Sequence, residues 1–360
     1  MKLFTLTTIP LLCAAISPLC AEGMMRHSRN QPANACQEQQ FTGYTITPQA
    51  GARAHSHVNP FFTADFILWK AHQDGLDFAY SGAPVTGRSV DVTKGQVFQP
   101  GHKYEPGFKL GFGMKFLPDA WDVYANYTWL QASNSVNVSD TMIRSNYGTP
   151  DLIGVNFLAA SGASANWKLN FNVLDLELGR DFYISKKLTL RPHFGFKFSW
   201  MKQKFDVDLN DLIYGASILM PQGADVDLDF RQRQFGVGLR TGIDTAWILC
   251  KHLSLFGDLA LTGLWSHFNE NRKDTVTPKG DTGYDTFNVQ DKISAMTVVL
   301  EFAFGLRYDY SFNCNKNLFF FQAGWEQQFW LNQNQFFRPS TTNADDLSFQ
   351  GLTAKMGFAF

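Results

Sequence analysis

Three residues in one segment have the types that serve in hydrolytic catalysis. Asp258, Ser266 and His267 lie close together in the stretch DLALTGLWSH. A serine hydrolase requires a hydrogen bond from the serine hydroxyl to the histidine, and a second bond from the histidine to a carboxylate. Adjacent residues of a strand point to opposite faces, so Ser266 and His267 cannot form that pair within one strand. The sequence therefore predicts no catalytic residue, no enzyme and no cofactor.

A second set of side chains could act through charge alone. Charged residues of both signs alternate with apolar ones, and we expect the charged residues to line the lumen of a barrel. They are Lys109, Lys115, Asp122, Arg191, Lys197, Arg240, Asp244, Asp258, Glu301, Arg307, Asp309, Glu326 and Lys355. Mixed charges in a water-filled lumen create a transverse field that suits small hydrophilic solutes and ions. The alternative is that these charges pair with one another in a packed interior, as in barrels of about eight strands.

The elements that must position these charges are long strands. In FKLGFGMKF, the residues Phe108, Leu110 and Phe112 share one face, while Lys109 and Lys115 lie on the other. The same period of two runs through WDVYANYTW, LRPHFGFKFSW, MTVVLEFAFGLRYDYSF and the final LTAKMGFAF. Strands of soluble proteins are usually about five or six residues long, whereas apolar ladders of about 9 to 11 residues with aromatic ends are typical of transmembrane barrels. Lipid leaves an open sheet edge without hydrogen-bond partners, so the pattern predicts an all-β, closed antiparallel transmembrane β-barrel.

Short and long connections alternate between these ladders. Short turns are expected at residues 117–120, 185–187, 250–252 and 313–317, and long polar loops at 73–103, 133–163, 203–227, 269–291 and 332–346. Outer-membrane barrels keep short turns on the periplasmic side and long loops outside the cell. The connections therefore predict about ten strands, with both termini in the periplasm. Twelve strands remain possible, because GRSVDVTKGQVF in the first long loop could form a hairpin.

The amino-terminal residues predict export. Residues 1–21 combine Lys2, an apolar stretch and small residues ending at Ala21, as secretory signal peptides do. Residues 22–59 are polar and are expected to form a largely irregular periplasmic leader, while residues 60–360 form the barrel. We therefore expect an integral protein of the bacterial outer membrane.

Composition excludes two other classes of protein. The chain is 15% aromatic with 34 phenylalanines, yet its mean hydropathy is only −0.18. A helical membrane protein needs about 20 consecutive apolar residues for each span, and the richest run, MTVVLEFAFGL, is shorter and contains Glu301. The net charge of −1 offers no basic field for a nucleic acid.

The last ladder ends on an aromatic residue. Phe358 and Phe360 lie on its apolar face, and this strand must pair with the first one, near residues 61–71, to close the ring. Outer-membrane proteins as a class resemble this sequence in that ending. The resemblance implies that Phe358 and Phe360 are an assembly signal read by the barrel-assembly machinery.

Three cysteines follow the signal peptide: Cys36, Cys250 and Cys314. The predicted topology places them in the oxidising periplasm, where an odd number indicates an intermolecular bond or one free thiol. Two strands separate the turns of Cys250 and Cys314, roughly 10 Å, and a disulfide needs Cα atoms within about 7 Å. We expect Cys36 to reach one of these turns or a partner chain, which would give a disulfide loop, a homo-oligomer or disulfide-linked envelope proteins.

The third long loop has two acidic arms around an apolar tip, LIYGASILMP. The arms contain Asp206, Asp208, Asp211, Asp225, Asp227 and Asp229. These carboxylates could hold Ca²⁺ or cations that bridge to lipopolysaccharide, or the segment could be a solvated hairpin. No fixed ligand spacing is present, so no metal site is predicted. The expected partners are outer-membrane lipid and lipopolysaccharide.

Two segments carry a family resemblance. FILWKAHQDGLDFAYSG, residues 66–82, and LDLELGRDFYISKKLTLRPHFGFK, residues 174–197, resemble the Legionella-type major outer-membrane proteins, a family found also in Chlamydia-like bacteria. The resemblance implies a pore-forming outer-membrane protein. We therefore expect a porin-like barrel with a narrow, weakly selective passage for small hydrophilic solutes or ions. A plugged structural or adhesive barrel that acts through its extracellular loops is the alternative.

Overall fold

The described part of the chain consists almost entirely of strands. The computed structural model describes residues 58–82, 95–116, 120–147, 159–214, 223–313, 316–338 and 345–360. In chain order the strands are β1 (Val58–Gln73), β2 (Ala79–Tyr80), β3 (Val97–Phe98), β4 (Tyr104–Phe116), β5 (Trp121–Ser145), β6 (Ala159–Arg180), β7 (Phe182–Tyr183), β8 (Leu188–Tyr214), β9 (Asp225–Cys250), β10 (Leu253–Thr277), β11 (Tyr284–Phe312), β12 (Asn317–Asn334) and β13 (Asp345–Ala359). No helix among these residues is long and apolar enough to cross a membrane.

Ten of the strands are long and close into one antiparallel ring. Each long strand pairs with the next long strand in the chain, from β1 with β4 through to β12 with β13. The ring closes because β13 also pairs with β1, which puts Ala64 opposite Met356. The two-residue strands pair at the margins, β2 with β3 and β5, and β7 with β8. The predicted closed barrel of ten strands is confirmed.

The two ends of the barrel differ. At one end the connections between β7 and β8 and between β9 and β10 are short, and Phe360 lies there. We call this the turn end. At the opposite end, the hairpin end, long strand pairs such as β10 and β11 extend away from the rest of the ring before they reverse at residues 278–283.

A band of apolar side chains surrounds the outside of the barrel near the turn end. On β8, Phe194, Phe196 and Trp200 point outward and are 40–55% exposed. On β10 the band runs from Leu255 to Trp265, which matches the about 9 to 11 residues that a tilted strand needs to cross a bilayer. The exposed apolar surface therefore forms a continuous lipid-facing belt.

The strands continue well beyond this band, so three of the five predicted long loops, 133–163, 203–227 and 269–291, were too long. The bounds predicted for 73–103 and 332–346 agree with the strand ends to within three residues. Segment 203–227, expected to be a loop, is largely filled by the ends of β8 and β9. In this extension the apolar ladder changes face, because Phe205, Val207 and Leu209 point inward and are fully buried. Polar residues now face outward, where the surroundings have changed from lipid to water. That polar outer face is the physical reason why the sequence pattern of this segment predicts a loop.

Phe360 completes the outer surface at the turn end. Its ring centroid lies 4.7 Å from that of Phe358 and 6.2 Å from that of Phe62. Its backbone N–H donates a hydrogen bond to the Pro60 carbonyl at 3.2 Å. The ring is still 49% exposed, so it adds less packing than a buried ring. Removing this ring should therefore change the stability of the folded barrel only a little, so a large loss of folded barrel in cells would report on assembly.

Replacing Phe360 with alanine should lower the yield of folded, heat-modifiable barrel in cells several-fold. The free energy of unfolding of the same variant, measured after refolding in detergent, should fall by less than about 1 kcal/mol, because the lost contacts are half exposed. The matched control is Phe62→Ala, which removes one of the same ring contacts and keeps the terminal residue. Equal losses of folded barrel in both variants would show that packing, and not a terminal signal, sets the yield.

Candidate functional site

A cavity of about 390 Å³ occupies the interior and reaches the turn end, where Ala120, Asp181 and Ile248 line it. The alternation of each strand turns its charged residues inward while the apolar ladder faces lipid. All thirteen residues expected in the lumen lie on the walls of this one cavity: Lys109, Lys115, Asp122, Arg191, Lys197, Arg240, Asp244, Asp258, Glu301, Arg307, Asp309, Glu326 and Lys355.

Lysine side chains join different walls of the cavity. The ammonium group of Lys197 on β8 lies 2.7 Å from a carboxylate oxygen of Asp175 on β6 and 2.7 Å from one of Glu301 on β11. Lys109 on β4 and Glu326 on β12 form a second bridge, with an N···O distance of 2.6 Å. In the ring β8 and β11 are three strands apart, as are β4 and β12. The Lys197–Glu301 and Lys109–Glu326 pairs therefore span the space between strands that share no hydrogen bonds, whereas Lys197–Asp175 joins neighbouring strands.

Two arginines extend this network. Arg240 pairs with Glu301 and, at 3.0 Å from its Nε, with Glu177. Arg191 donates from Nε to Asp122 at 2.9 Å and lies 2.6 Å from Asp244. Removing one partner of a buried ion pair typically costs about 3–5 kcal/mol, because the remaining charge stays buried without a counter-charge. The network therefore holds the cavity walls in one arrangement.

Four aromatic residues close the cavity on the side of the hairpin end. Phe171 on β6 meets Trp330 on β12 and Phe349 on β13, with ring centroids 5.4 and 4.5 Å apart. Trp69 on β1 lies 5.8 Å from Phe349. We call these four residues the aromatic layer. All four are 0–1% exposed, whereas the wall of a water-filled channel would be wetted by that channel.

The aromatic layer rests on the charged network. The Lys109 ammonium lies 4.7 Å from the centroid of the Trp69 ring, and the Lys197 ammonium lies 5.7 Å from that of Trp330. Both distances are within the range of cation–π attraction. The Trp330 indole N–H donates to Gln328 at 3.1 Å. The charged network and the aromatic layer are therefore joined by two cation–π contacts and one indole hydrogen bond.

Beyond the aromatic layer, the interior of the strand extensions contains an apolar core, together with buried polar groups such as the Arg272–Asp274 ion pair. Phe205, Phe230 and Phe336 pack against one another with ring centroids 5.8–6.2 Å apart. Tyr147 adds a ring 5.0 Å from Phe230. These side chains are 0–5% exposed. Among the described residues, the half of the interior towards the hairpin end is packed like the core of a soluble protein.

The aromatic layer was not predicted, although a signal for it is present in the sequence. In WKLNFNVLDLEL the apolar residues change from odd to even positions after Val173. Phe171 and Val173 consequently point inward, while Leu174 and Leu176 point outward. Such a change of phase marks the height at which the inside of the barrel becomes apolar.

The three residues considered for hydrolysis are not brought together. Ser266 is buried inside the barrel and accepts a hydrogen bond from Gln234 Nε2 at 3.0 Å. His267 points outward, and its Nδ1 lies 2.7 Å from the hydroxyl oxygen of Ser294. Asp258 lines the cavity. The strand therefore places Ser266 and His267 on opposite faces.

The other chemical candidates lie at the two ends. Cys250 is disulfide-bonded, while Cys36 and Cys314 lie outside the described residues. The acidic arms lie on the extensions of β8 and β9, where Asp206 is opposite Asp229. Within the described ranges, no group of three or more His, Cys, Asp or Glu residues is placed to hold a metal ion. Residues 215–222, most of the apolar tip, lie outside the described residues.

A closed ring of ten strands with a lipid-facing apolar belt and aromatic residues at the belt's edges defines an outer-membrane β-barrel protein. The model of one family, described as the Legionella pneumophila major outer membrane protein precursor, matches residues 58–360. The chain belongs to this family, and it is a protein of the bacterial outer membrane.

Two solved outer-membrane proteins match the chain at low similarity. The Escherichia coli outer membrane protease OmpT is 13% identical with a TM-score of 0.36, and the match covers 84% of this chain and 96% of that one. A major outer membrane protein from Thermus thermophilus is 12% identical with a TM-score of 0.30, and the match covers 85% of this chain and 100% of that one. No curated protein matches the chain. We draw no functional inference from these two structures.

Glu270 is a buried acid on the extension of β10, five residues beyond Trp265. It points inward and is 4% exposed, and neither carboxyl oxygen has a hydrogen-bond partner among the described residues. Asp291 on β11 is directly opposite. Burial raises the pKa of Glu270 to about 8, and the Asp291 carboxylate adds to the rise. The folded protein therefore keeps a proton on Glu270 at neutral pH.

Stability should decrease as the pH rises from about 4.5 to about 8, because over this range the unfolded chain has released the Glu270 proton and the folded chain still binds it. Glu270→Gln should reduce the slope of melting temperature against pH and raise the melting temperature at the alkaline end. The measurement is the temperature at which heat-modifiable gel mobility is lost across the pH series. Asp281→Asn, which removes an exposed carboxylate from the same hairpin, is the control and should keep the slope. An unchanged slope in Glu270→Gln would contradict the assignment.

Proposed function

We propose that this protein is a plugged structural barrel of the outer membrane, with its turn end and chain terminus in the periplasm. Short connections on the periplasmic side are the rule for such barrels. The hairpin end then projects from the cell. On β10 the residues from Ser266 to Thr277 would extend about 40 Å along the strand at about 3.3 Å per residue. Such extensions offer a rigid external surface to neighbouring molecules.

The aromatic layer is the observation that carries this proposal. Exposing one ring of about 150 Å² to water would cost about 4 kcal/mol at about 25 cal/mol per Å². Since about 1.4 kcal/mol is a factor of ten in population, any given ring would be displaced in only about one barrel in seven hundred. The apolar core above the layer adds to this cost. A barrel of this kind is closed to solutes for nearly all of the time.

A narrow, weakly selective passage is the second candidate, and the polar cavity favours it. Charges of both signs line the cavity, as expected for the vestibule of a pore that admits small hydrophilic solutes or ions. In that case the aromatic layer would be a hydrophobic constriction that opens and closes by wetting and drying. This candidate requires the opposite walls to separate at Phe171 and Phe349.

The refolded wild-type protein should give no discrete current steps in planar bilayers, because the aromatic layer blocks the lumen. Changing Phe171, Trp330 and Phe349 together to serine should not be enough to open the lumen, because the apolar core beyond the aromatic layer still fills it. Measurable current should appear when Phe205 and Phe230 of that core are changed to serine as well. The matched control changes three lipid-facing rings, Phe62, Phe112 and Phe321, to serine and should remain silent.

Uniform, repeated current steps from the wild-type protein would reject the plugged barrel and establish the passage. Barrel-type circular dichroism and heat-modifiable mobility verify that each silent sample contains inserted, folded protein. Current from the lipid-facing control would show that the steps come from disturbed insertion and not from an opened lumen.

A further inference from the structure

The outer surface just beyond the apolar band is basic. Trp200 on β8 and Phe235 on β9 mark the edge of the band and are 40% and 53% exposed. One step further towards the hairpin end, on the same outward faces, lie Lys202 and Arg233, and both are exposed. The cations therefore begin where the lipid-facing surface stops.

Strand register places further cations beside this pair. Lys202 is directly opposite Arg233, and Lys292 on β11 lies in the same row, two strands from Arg233. In the next row Lys204 is flanked by Lys168 on β6 and by Arg231 on β9. We call these six residues the basic patch. Its members come from β6, β8, β9 and β11, and four of them form the short segments KQK (202–204) and RQR (231–233), which the strand register brings side by side.

Repulsion among the cations of the basic patch destabilises the folded protein when no ligand is bound. Residues directly opposite in an antiparallel pair have Cβ atoms about 4.5–5.5 Å apart, and like charges at that distance destabilise the sheet. Lys204 is partly neutralised by Asp206 at 2.9 Å, and Arg231 by Asp229 at 2.7 Å. The other four members have no ion-pair partner among the described residues: Lys168, Lys202, Arg233 and Lys292. A bound anion would relieve this repulsion.

We propose that the basic patch binds the phosphate groups of lipopolysaccharide in the outer leaflet. The proposal uses the orientation given above and does not depend on whether the lumen conducts. Lipid headgroups lie at the height where aromatic residues end the apolar belt of a barrel. Lysine and arginine form charge-assisted hydrogen bonds with phosphate oxygens. The exposed rings of Phe194 and Phe196 on the belt below would contact the acyl chains of the same lipid, which a soluble phosphate lacks.

The test is native mass spectrometry of the mature protein, refolded in detergent without lipopolysaccharide and titrated with diphosphorylated lipid A. Lys202→Gln/Arg233→Gln should bind lipid A about tenfold more weakly or worse, because two hydrogen bonds to charged groups are lost. The matched control, Lys186→Gln/Lys187→Gln, removes the same charge from an exposed turn at the other end and should bind like the wild type. The exchange Lys202→Arg/Arg233→Lys keeps both charges and should retain most of the affinity.

Wild-type affinity in Lys202→Gln/Arg233→Gln would overturn the proposal, as would an equal loss in the turn control, which would indicate binding by net charge alone. Displacement of lipid A by excess inorganic phosphate would also overturn it, because the site would then recognise a soluble anion. Melting temperatures without lipid A identify variants that fold poorly. Lys292→Gln alone should weaken binding in the same direction, which keeps the proposal testable if the double variant does not fold.

Discussion

Contact between opposite walls of the barrel determines the rest of the interior. A ring of about eight to ten strands is narrow enough for side chains to meet across it. Phe171 touches Trp330 and Phe349 from the far wall, and Lys197 reaches Glu301. Once the walls are in contact, inward side chains pair or pack with one another or, like Glu270, keep a proton and stay uncharged. The result is a charged cavity beside the turn end and an apolar core beside the hairpin end, joined where lysines lie against indole rings.

The barrel exchanges its polar and apolar faces at one height. Below that height lipid surrounds the belt and the charges lie inside; above it water surrounds the extensions and the phenylalanines lie inside. On β8 this exchange falls between Trp200, which points outward, and Met201 and Phe205, which point inward. The exchange resists movement of the barrel along the membrane normal, because sliding in either direction would bring charged or polar residues into lipid. The basic patch lies just above this boundary.

Much of the fold could be predicted from alternation alone. LRPHFGFKFSW shows which residues face lipid, so its partners Arg191 and Lys197 were placed inside with the other charges. The pairing of these charges could not be predicted, since Lys109 and Glu326 are 217 residues apart and meet only through the register of the closed ring. The boundaries predicted for the loops at 133–163, 203–227 and 269–291 were wrong because the strand extensions present polar residues outward, and a polar segment without an outward apolar ladder resembles a loop.

The central claim is that side chains of opposite walls touch and exclude water. A double-mutant cycle of Phe171→Ala and Phe349→Ala, measured by unfolding in detergent, tests it most directly, because the two rings are 4.5 Å apart on strands that share no hydrogen bonds. A cycle of Phe171→Ala with the lipid-facing Phe112→Ala provides the baseline and should show no coupling. The account predicts a coupling of about 0.5–1.5 kcal/mol between Phe171 and Phe349. A coupling no larger than that baseline would mean that the walls stand apart around water, and the plugged barrel would be contradicted.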